Sequence, residues 1–302
     1  QPTRERQSFP IVSLTRMDAA NYISTLDSLD LLAQEPSSAD FAIIDLAVDD
    51  RFLRFLYEAD QHGSVQWWSL LENTRWQASW NQGPILLAFN GDTQFHKKLK
   101  EKLSFMPLGI VIDSPESSTC VFNWAQGWLL SLGKSDERLF RFYDPRSFRP
   151  LLAAFAGREK QIISSGVTIY WHNGSGWHGY RSPDNAIKEE LPEQPSLVQA
   201  ELSELPAFRS ADRAMVYEQV YRDYLPETGD RRVWVLEQLQ RASKLGFETV
   251  SLQERWLRLC IRIGSDPIAR ADVQEVIRRS EMTPADRLNA MESILEGKDA
   301  TA

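Results

Sequence analysis

Near Pro206 the hydrophobic period of this 302-residue chain changes, and the change separates what its two parts are able to build. Before it, short apolar runs alternate with stretches spaced for helix. After it, apolar residues recur at helical spacing only: Tyr217, Val220, Tyr221 and Tyr224 share one face, as do Leu252, Trp256, Leu259 and Ile263. Short apolar runs bounded by turn residues fit buried strands, and alternating them with helices calls for a layered sheet rather than a bundle. The expected fold is therefore an α/β (or α+β) N-terminal lobe, with a mixed sheet flanked by helices, followed by an all-helical C-terminal lobe. Residues 1–38 read as an extension with one candidate helix, 39–181 as the α/β domain, 182–206 as a Pro/Glu-rich connector and 207–302 as the helical lobe.

Within the first part, Met17 to Leu32 has modest helical spacing. Phe41–Val48, Val65–Leu71, Ile85–Phe89, Leu108–Asp113 and Arg138–Tyr143 have the character of strands. Helices are expected from Asp49 or Asp50 to Ala59, from Asp92 or Thr93 to Leu103, from Glu116 to Leu132 and from Pro145 to Phe155. Val167–His172 and Gly176–Arg181, joined through Asn173-Gly174-Ser175, form a hairpin signal, because Asn-Gly accepts the positive φ of a tight turn. In the second part, Asp266-Pro267 and Thr283-Pro284 are helix starts, the latter with Asp286 placed for a capping box.

Composition excludes several function classes. Lys and Arg number 34 against 42 Asp and Glu, so the net charge of −8 argues against a phosphate-binding surface and hence against nucleic acid as partner. No apolar run approaches the roughly 20 residues of a membrane span, and Gln1 to Pro10 lacks a signal peptide's apolar stretch, so no membrane partner is expected. Cys120 and Cys260 both fall within apolar helical patterns, which suits a reducing cytoplasm better than a disulfide framework. No cofactor is expected. Gly127 to Ser135 superficially resembles a phosphate loop, but its glycines are wrongly spaced and a helix precedes Gly133, which reads as a helix C-cap. Of His62, His96, His172 and His178, the last two flank the hairpin turn; with no third ligand nearby they read as cross-strand contacts, and no metal is expected.

The sharpest local signal is Arg141-Phe142-Tyr143-Asp144-Pro145-Arg146, where a strand stops and turns straight into a helix. Asp144 is suited to cap that helix, and Pro145 to its first position. Asp45 and Asp144 both follow apolar runs, which would place them at related ends of one sheet; as a carboxylate pair with Arg141 in a cleft between lobes they would suit a hydrolase or transferase. The plainer reading gives Asp144 to the helix cap, neutralised by Arg141 or Arg146. Trp67, Trp68, Trp76 and Trp80 cluster, and strand alternation sends Trp67 and Trp68 to opposite faces; core packing and interface anchoring explain such a cluster equally well. The basic stretch Phe95 to Leu103, with His96, Lys97, Lys98, Lys100 and Lys102, reads most simply as a solvated face.

The Arg-Phe-Tyr-Asp-Pro-Arg segment resembles the signature of the effector adaptors (chaperones) of type VI secretion, a bacterial family whose conserved domain was long catalogued as one of unknown function. Ala42-Ile43-Ile44-Asp45, Asp50-Arg51, Gly83-Pro84-Ile85-Leu86-Leu87 and Pro107-Leu108-Gly109-Ile110 up to Ser114-Pro115 follow in that family's order, so the likeness covers about residues 39 to 158. The stretch Trp67 to Trp80 is unlike the usual family wording, and the helical lobe matches nothing. The resemblance implies a cytoplasmic, non-enzymatic loading factor that binds a cognate secreted effector and delivers it to the VgrG spike or its PAAR tip. On that reading Arg141, Tyr143, Asp144 and Arg146 stabilise the strand-to-helix corner at the edge of a cargo groove, with the tryptophans as interface aromatics. An immunity or scaffold protein that binds the toxin domain is a further alternative.

Overall fold

The computed structural model describes residues 18–132, 138–158, 162–164, 166–182, 199–227, 229–263 and 267–299. These form two compact units, Thr25–Gln219 and a second one made of Val220 onwards together with the chain up to Ser24.

The first unit is built on a six-stranded sheet: β1 (Phe41–Asp45), β2 (Gln66–Ser69), β3 (Pro84–Ala88), β4 (Gly109–Asp113), β5 (Thr168–His172) and β6 (Trp177–Arg181), in the order β2-β3-β1-β4-β5-β6. Every ladder is antiparallel, where the alternation of strands and helices alone leads to a mixed sheet. The reason is topological. Helix α2 (Phe52–Ala59) carries the chain from β1 to β2 past the place of β3, and α3 (Thr93–Phe105) carries it from β3 to β4 past β1, so strands of like direction never become neighbours. The first four strands and these two helices thus reproduce the interleaved order of a ferredoxin-like split βαβ unit, to which β5 and β6 add a hairpin.

The sheet is apolar on both faces because both are covered. On one, Ala42, Ile44, Ile85, Leu87 and Val111 pack with Phe52 and Leu56 of α2 and Phe95, Leu99 and Leu103 of α3. On the other, Phe41, Ile43, Leu86, Ile110, Ile112 and Ile169 pack with α4 (Ser118–Leu129) and α5 (Pro145–Ala154). The alternation along β1 divides its residues between the two cores, as a period of two requires. Two backbones come very close beside this strand. A Cβ on Gly109 would stand 1.8 Å from the carbonyl oxygen of Ile43, in the register that opposes Ile44 to Gly109, and the adjoining Leu108 carbonyl accepts from the Asp45 N–H at 2.8 Å.

Arg138–Tyr143, expected as a strand, is not one. Phe140, Phe142 and Tyr143 all enter the same core cluster, although strand alternation would send Phe142 and Tyr143 to opposite faces. The backbone instead closes locally: Phe140 N–H donates to the Leu129 carbonyl at the end of α4 (2.9 Å), and Asp144 N–H to the Arg141 carbonyl (3.2 Å). Trp124 meets Phe142 edge-on at 5.4 Å and Trp128 meets Phe155 edge-on at 6.0 Å, so aromatic packing fixes this segment. The β5–β6 hairpin forms as expected, with Gly174 at φ 100° and the Asn173 side chain accepting from the N–H groups of Ser175 (3.0 Å) and Gly176 (3.1 Å). The outer edge of β6 is met by Leu32, which exchanges two backbone bonds with Gly179 (2.7 and 2.8 Å).

Helix α1 spans Ala19–Asp27, within the segment expected to be helical from Met17, which itself lies outside the described residues, as do Gly133 and residues 183–198 of the proline-rich stretch. From Gln199 to Val220 the chain is helical (α6), Pro206 included. The second unit packs α7 (Arg231–Lys244), α8 (Val250–Ile263), α9 (Ala271–Arg278) and α10 (Pro284–Asp299) around Phe247, Trp256, Leu259, Cys260, Val273, Leu288 and Met291. Thr283 Oγ1 accepts from Asp286 N–H at 3.2 Å, the forward half of the expected capping box, while the Asp286 carboxylate accepts from the Thr283 hydroxyl at 2.6 Å. Pro267 opens a short 3-10 helix rather than an α-helix, and Asp266 before it lies outside the described residues. The expected stripe of Tyr217, Val220, Tyr221 and Tyr224 is broken because α6 ends at Val220; Tyr224 sits on a 3-10 helix, Arg222–Tyr224, and is 72% exposed.

Candidate functional site

The turn that leads into α5 forms a corner that gathers the residues of the Arg141–Arg146 segment around the end of β1. Asp45 closes that strand and is buried. One of its oxygens accepts the N–H of Ala47 at 3.0 Å, and the other is paired with the guanidinium of Arg141. Tyr143 also hydrogen-bonds Asp45; burial, and then the negative charge of Asp45, push its phenol well above the usual range, so it remains a neutral O–H donor. A buried carboxylate is tolerated only when its lone pairs are answered, and here three donors answer them.

Asp144 faces the other way, as the cap of α5. It accepts from the N–H of Arg146 at 3.0 Å, and Pro145 occupies the first helical turn. The Arg146 side chain folds back onto the same carboxylate in a two-pronged contact, Nε at 2.9 Å and Nη2 at 2.8 Å, which raises its own pKa. The two carboxylates are thus served by different arginines: Arg146 neutralises Asp144, while Arg141 is turned to Asp45. Their side chains remain 47% (Arg141) and 60% (Arg146) exposed, so each guanidinium is held by one edge and presented to solvent by the rest. Chemically this is a pair of oriented cations on a rigid corner, suited to receiving carboxylates or backbone carbonyls. Helix α6 contributes two residues that sequence reasoning missed. Arg209 is near enough to feel the charges of Asp144 and Arg146, and Asp212 pairs with Arg149 of α5 at 3.2 Å. Nothing in local sequence reports these contacts, since they join segments some 60 residues apart.

The four tryptophans lie at the β2 edge of the sheet. Trp67 and Trp68 do go to opposite faces, Trp67 against the α2/α3 core and Trp68, with Trp76, against the α4/α5 core. Trp80, from the 3-10 helix Gln77–Gln82, is the exposed member at 38% and stacks on Trp67 with centroids 5.8 Å apart. The structure therefore divides the cluster: Trp68 and Trp76, half-buried, pack against the second core, while the Trp67–Trp80 stack reaches the surface.

The remaining candidates resolve differently. The basic stretch on α3 is not a simple solvated face: His96 is buried, Lys100 reaches Glu35 (3.3 Å) and the Pro36 carbonyl (2.8 Å), and Lys102 pairs with Asp49 at 2.7 Å. His172 and His178 make cross-strand contacts, with Trp177 (5.5 Å) and Trp171 (5.9 Å) respectively. Burial lowers the pKa of both, and among the described residues no group of three metal-ligating side chains occurs. At the start of β1, Asp40 stands opposite Asp113 by continuation of the β1–β4 register, and their carboxyl groups hydrogen-bond. Burial and the neighbouring Asp40 raise the Asp113 pKa. This pair lines an open crevice of about 540 Å³ with Asn90, Ser114 and Glu116. Reading it from sequence requires the strand pairing first.

Residues 41–161, which include the whole corner, match the family model described as Domain of unknown function (DUF4123). No curated protein and no solved structure matches the chain. Among the described residues no helix is long and apolar enough to cross a membrane.

Proposed function

We propose that this protein is a non-enzymatic adaptor of type VI secretion, which binds a cognate effector and hands it to the VgrG spike or its PAAR tip. The observation that carries the reading is the family-model match over residues 41–161, a domain associated with effector adaptors of that system. The corner lies inside the matched segment and offers what such a role asks for. Arg141 and Arg146 are oriented by their own carboxylates and half exposed, beside a surface that also carries Arg209. Arginine and exposed tryptophan are the residues most enriched among interface hot spots, so the Trp67–Trp80 stack is assigned as the second anchor.

Support for a binding rather than catalytic use of the two aspartates comes from their partners. Asp45 is answered by Arg141, Tyr143 and Ala47, and Asp144 by the α5 terminus and Arg146, so the oxygens of both carboxylates are engaged in holding the corner together. The experiment is co-purification from the native cytoplasm, with mass spectrometry and truncation mapping of what accompanies the chain. Recovery of one effector held through its delivery region is expected; repeated recovery of no effector or spike protein would overturn the reading. Charge reversal at Arg146 that preserves both folding and effector capture would remove the corner from the interface.

A further inference from the structure

Side chains link α5 to α6, and the pairing changes sign from one helical turn to the next. At one level Arg149 of α5 meets Asp212 of α6 at 3.2 Å, an ordinary ion pair, and its Nη2 donates to the Leu26 carbonyl at 3.2 Å. One turn earlier on each helix, on the face that residues three apart share, stand Arg146 and Arg209. They are close enough for the charge of Arg146 to act on Arg209. Where the first level joins opposite charges, the second brings like charges together.

Asp144 does not resolve this second level. Its Oδ1 accepts from the Arg146 backbone N–H (3.0 Å) and Nε (2.9 Å), and its Oδ2 from Nη2 (2.8 Å), so both oxygens are taken. Arg209 feels that charge at longer range, and makes no hydrogen bond or ion pair with a described residue. Burial of its guanidinium outweighs the pull of Asp144 and lowers its pKa, so the charge is partly stripped of water without gaining a partner. The residue as a whole is nevertheless exposed, and a ligand can reach it. Arg146 keeps its Nη1 edge clear of Asp144 and Arg209 keeps its whole fork, so a planar oxyanion set between them would accept from both and cancel their repulsion. The net charge of −8 disfavours a polyanion, and a single carboxylate fits better than a run of phosphates. Arg209 also lies outside residues 41–161, so the pair joins the family domain to a helix that the family model does not cover.

We propose that Arg146 and Arg209 together bind a carboxylate, which in the adaptor comes from an acidic side chain of the effector. The origin of the ligand rests on the adaptor reading, and the site itself does not. Two measurements separate them. In thermal melts of the full-length chain, disodium glutarate is expected to raise the melting temperature by about 2 °C or more over sodium chloride at equal ionic strength. Arg209→Gln should lose that gain while keeping its helical circular dichroism. No gain in the parent chain, or an equal gain in the variant, would overturn the site. In co-purification, Arg209→Glu is expected to weaken effector capture at least about tenfold, and a charge-reversing substitution at one acidic residue of the effector's bound segment to restore it. Undiminished capture by Arg209→Glu would overturn the assignment of the effector's carboxylate to this pair, with the adaptor reading intact. Capture of no effector by the parent chain would sink the adaptor reading instead, and the glutarate response alone would then decide the site.

Discussion

The Asp45 carboxylate shows how a buried charge is made tolerable, and how its tolerance is measured. Tyr143→Phe removes one donor without changing the packing of the ring, and is expected to lower stability by about 1 kcal/mol. Arg141→Ala removes the compensating charge; because half of the guanidinium faces water, its expected cost of about 2 kcal/mol falls short of that of a fully buried pair. Urea unfolding reads both. The deciding measurement is a double-mutant cycle, since Arg141→Ala should cost much less once Asp45 is Asn; equal costs in the two backgrounds would show that the ion pair contributes nothing. Asp144 behaves differently because its main partner is a helix terminus. Asp144→Ala should cost about 1–2 kcal/mol and Asp144→Asn much less, as asparagine still caps; a large loss with Asn would mean that the charge on Arg146, not the cap, is what matters.

At the level of elements, the helices were legible wherever the sequence carries a local stop or start: Asp92 before α3, Asp144-Pro145 at α5, Thr283 with Asp286 at α10, whereas α4, expected from Glu116, begins at Ser118 behind a Ser117 cap. The strands were legible as apolar runs. What local sequence does not contain is which strand sits beside which, and the antiparallel order follows only once two crossovers interleave. The same gap hides the Asp40–Asp113 pair and the Arg149–Asp212 bridge. Arg138–Tyr143 misleads for another reason: its aromatics satisfy a strand pattern, but Trp124 and Trp128 draw consecutive rings into one core. For the β2 edge, Trp80→Ala is expected to change stability by less than about 1 kcal/mol while weakening the proposed effector capture about tenfold or more. Loss of stability with capture unchanged would return Trp80 to a packing role.

For the whole molecule, the buried His96 and the half-buried Asp113 bend the pH–stability curve in opposite directions. His96 is held neutral in the fold by burial and by nearby Lys100, so the unfolded chain binds more protons below the ordinary value of 6.5, and stability falls as pH drops through that point. His96→Leu should flatten this limb in thermal melts between neutral and mildly acidic pH; an unchanged slope would place the proton uptake elsewhere. Asp113, with its pKa raised by burial and Asp40, has the reverse sign: the fold favours its protonated form, a contribution present below 3.8 and lost as pH rises through the higher folded value. Asp113→Asn should therefore raise the melting temperature near neutral pH and leave it unchanged at strongly acidic pH. The close approach of backbones at Gly109 has a genetic consequence. Because the Leu108 carbonyl holds the Asp45 N–H, any side chain added at Gly109 pries β4 from β1 beside the aspartate on which the corner is built. In a mutational scan scored by the proposed effector loading, Gly109 would be as intolerant as the corner itself, and an investigator mapping the proposed interface from null alleles alone would assign to it a residue buried between two strands.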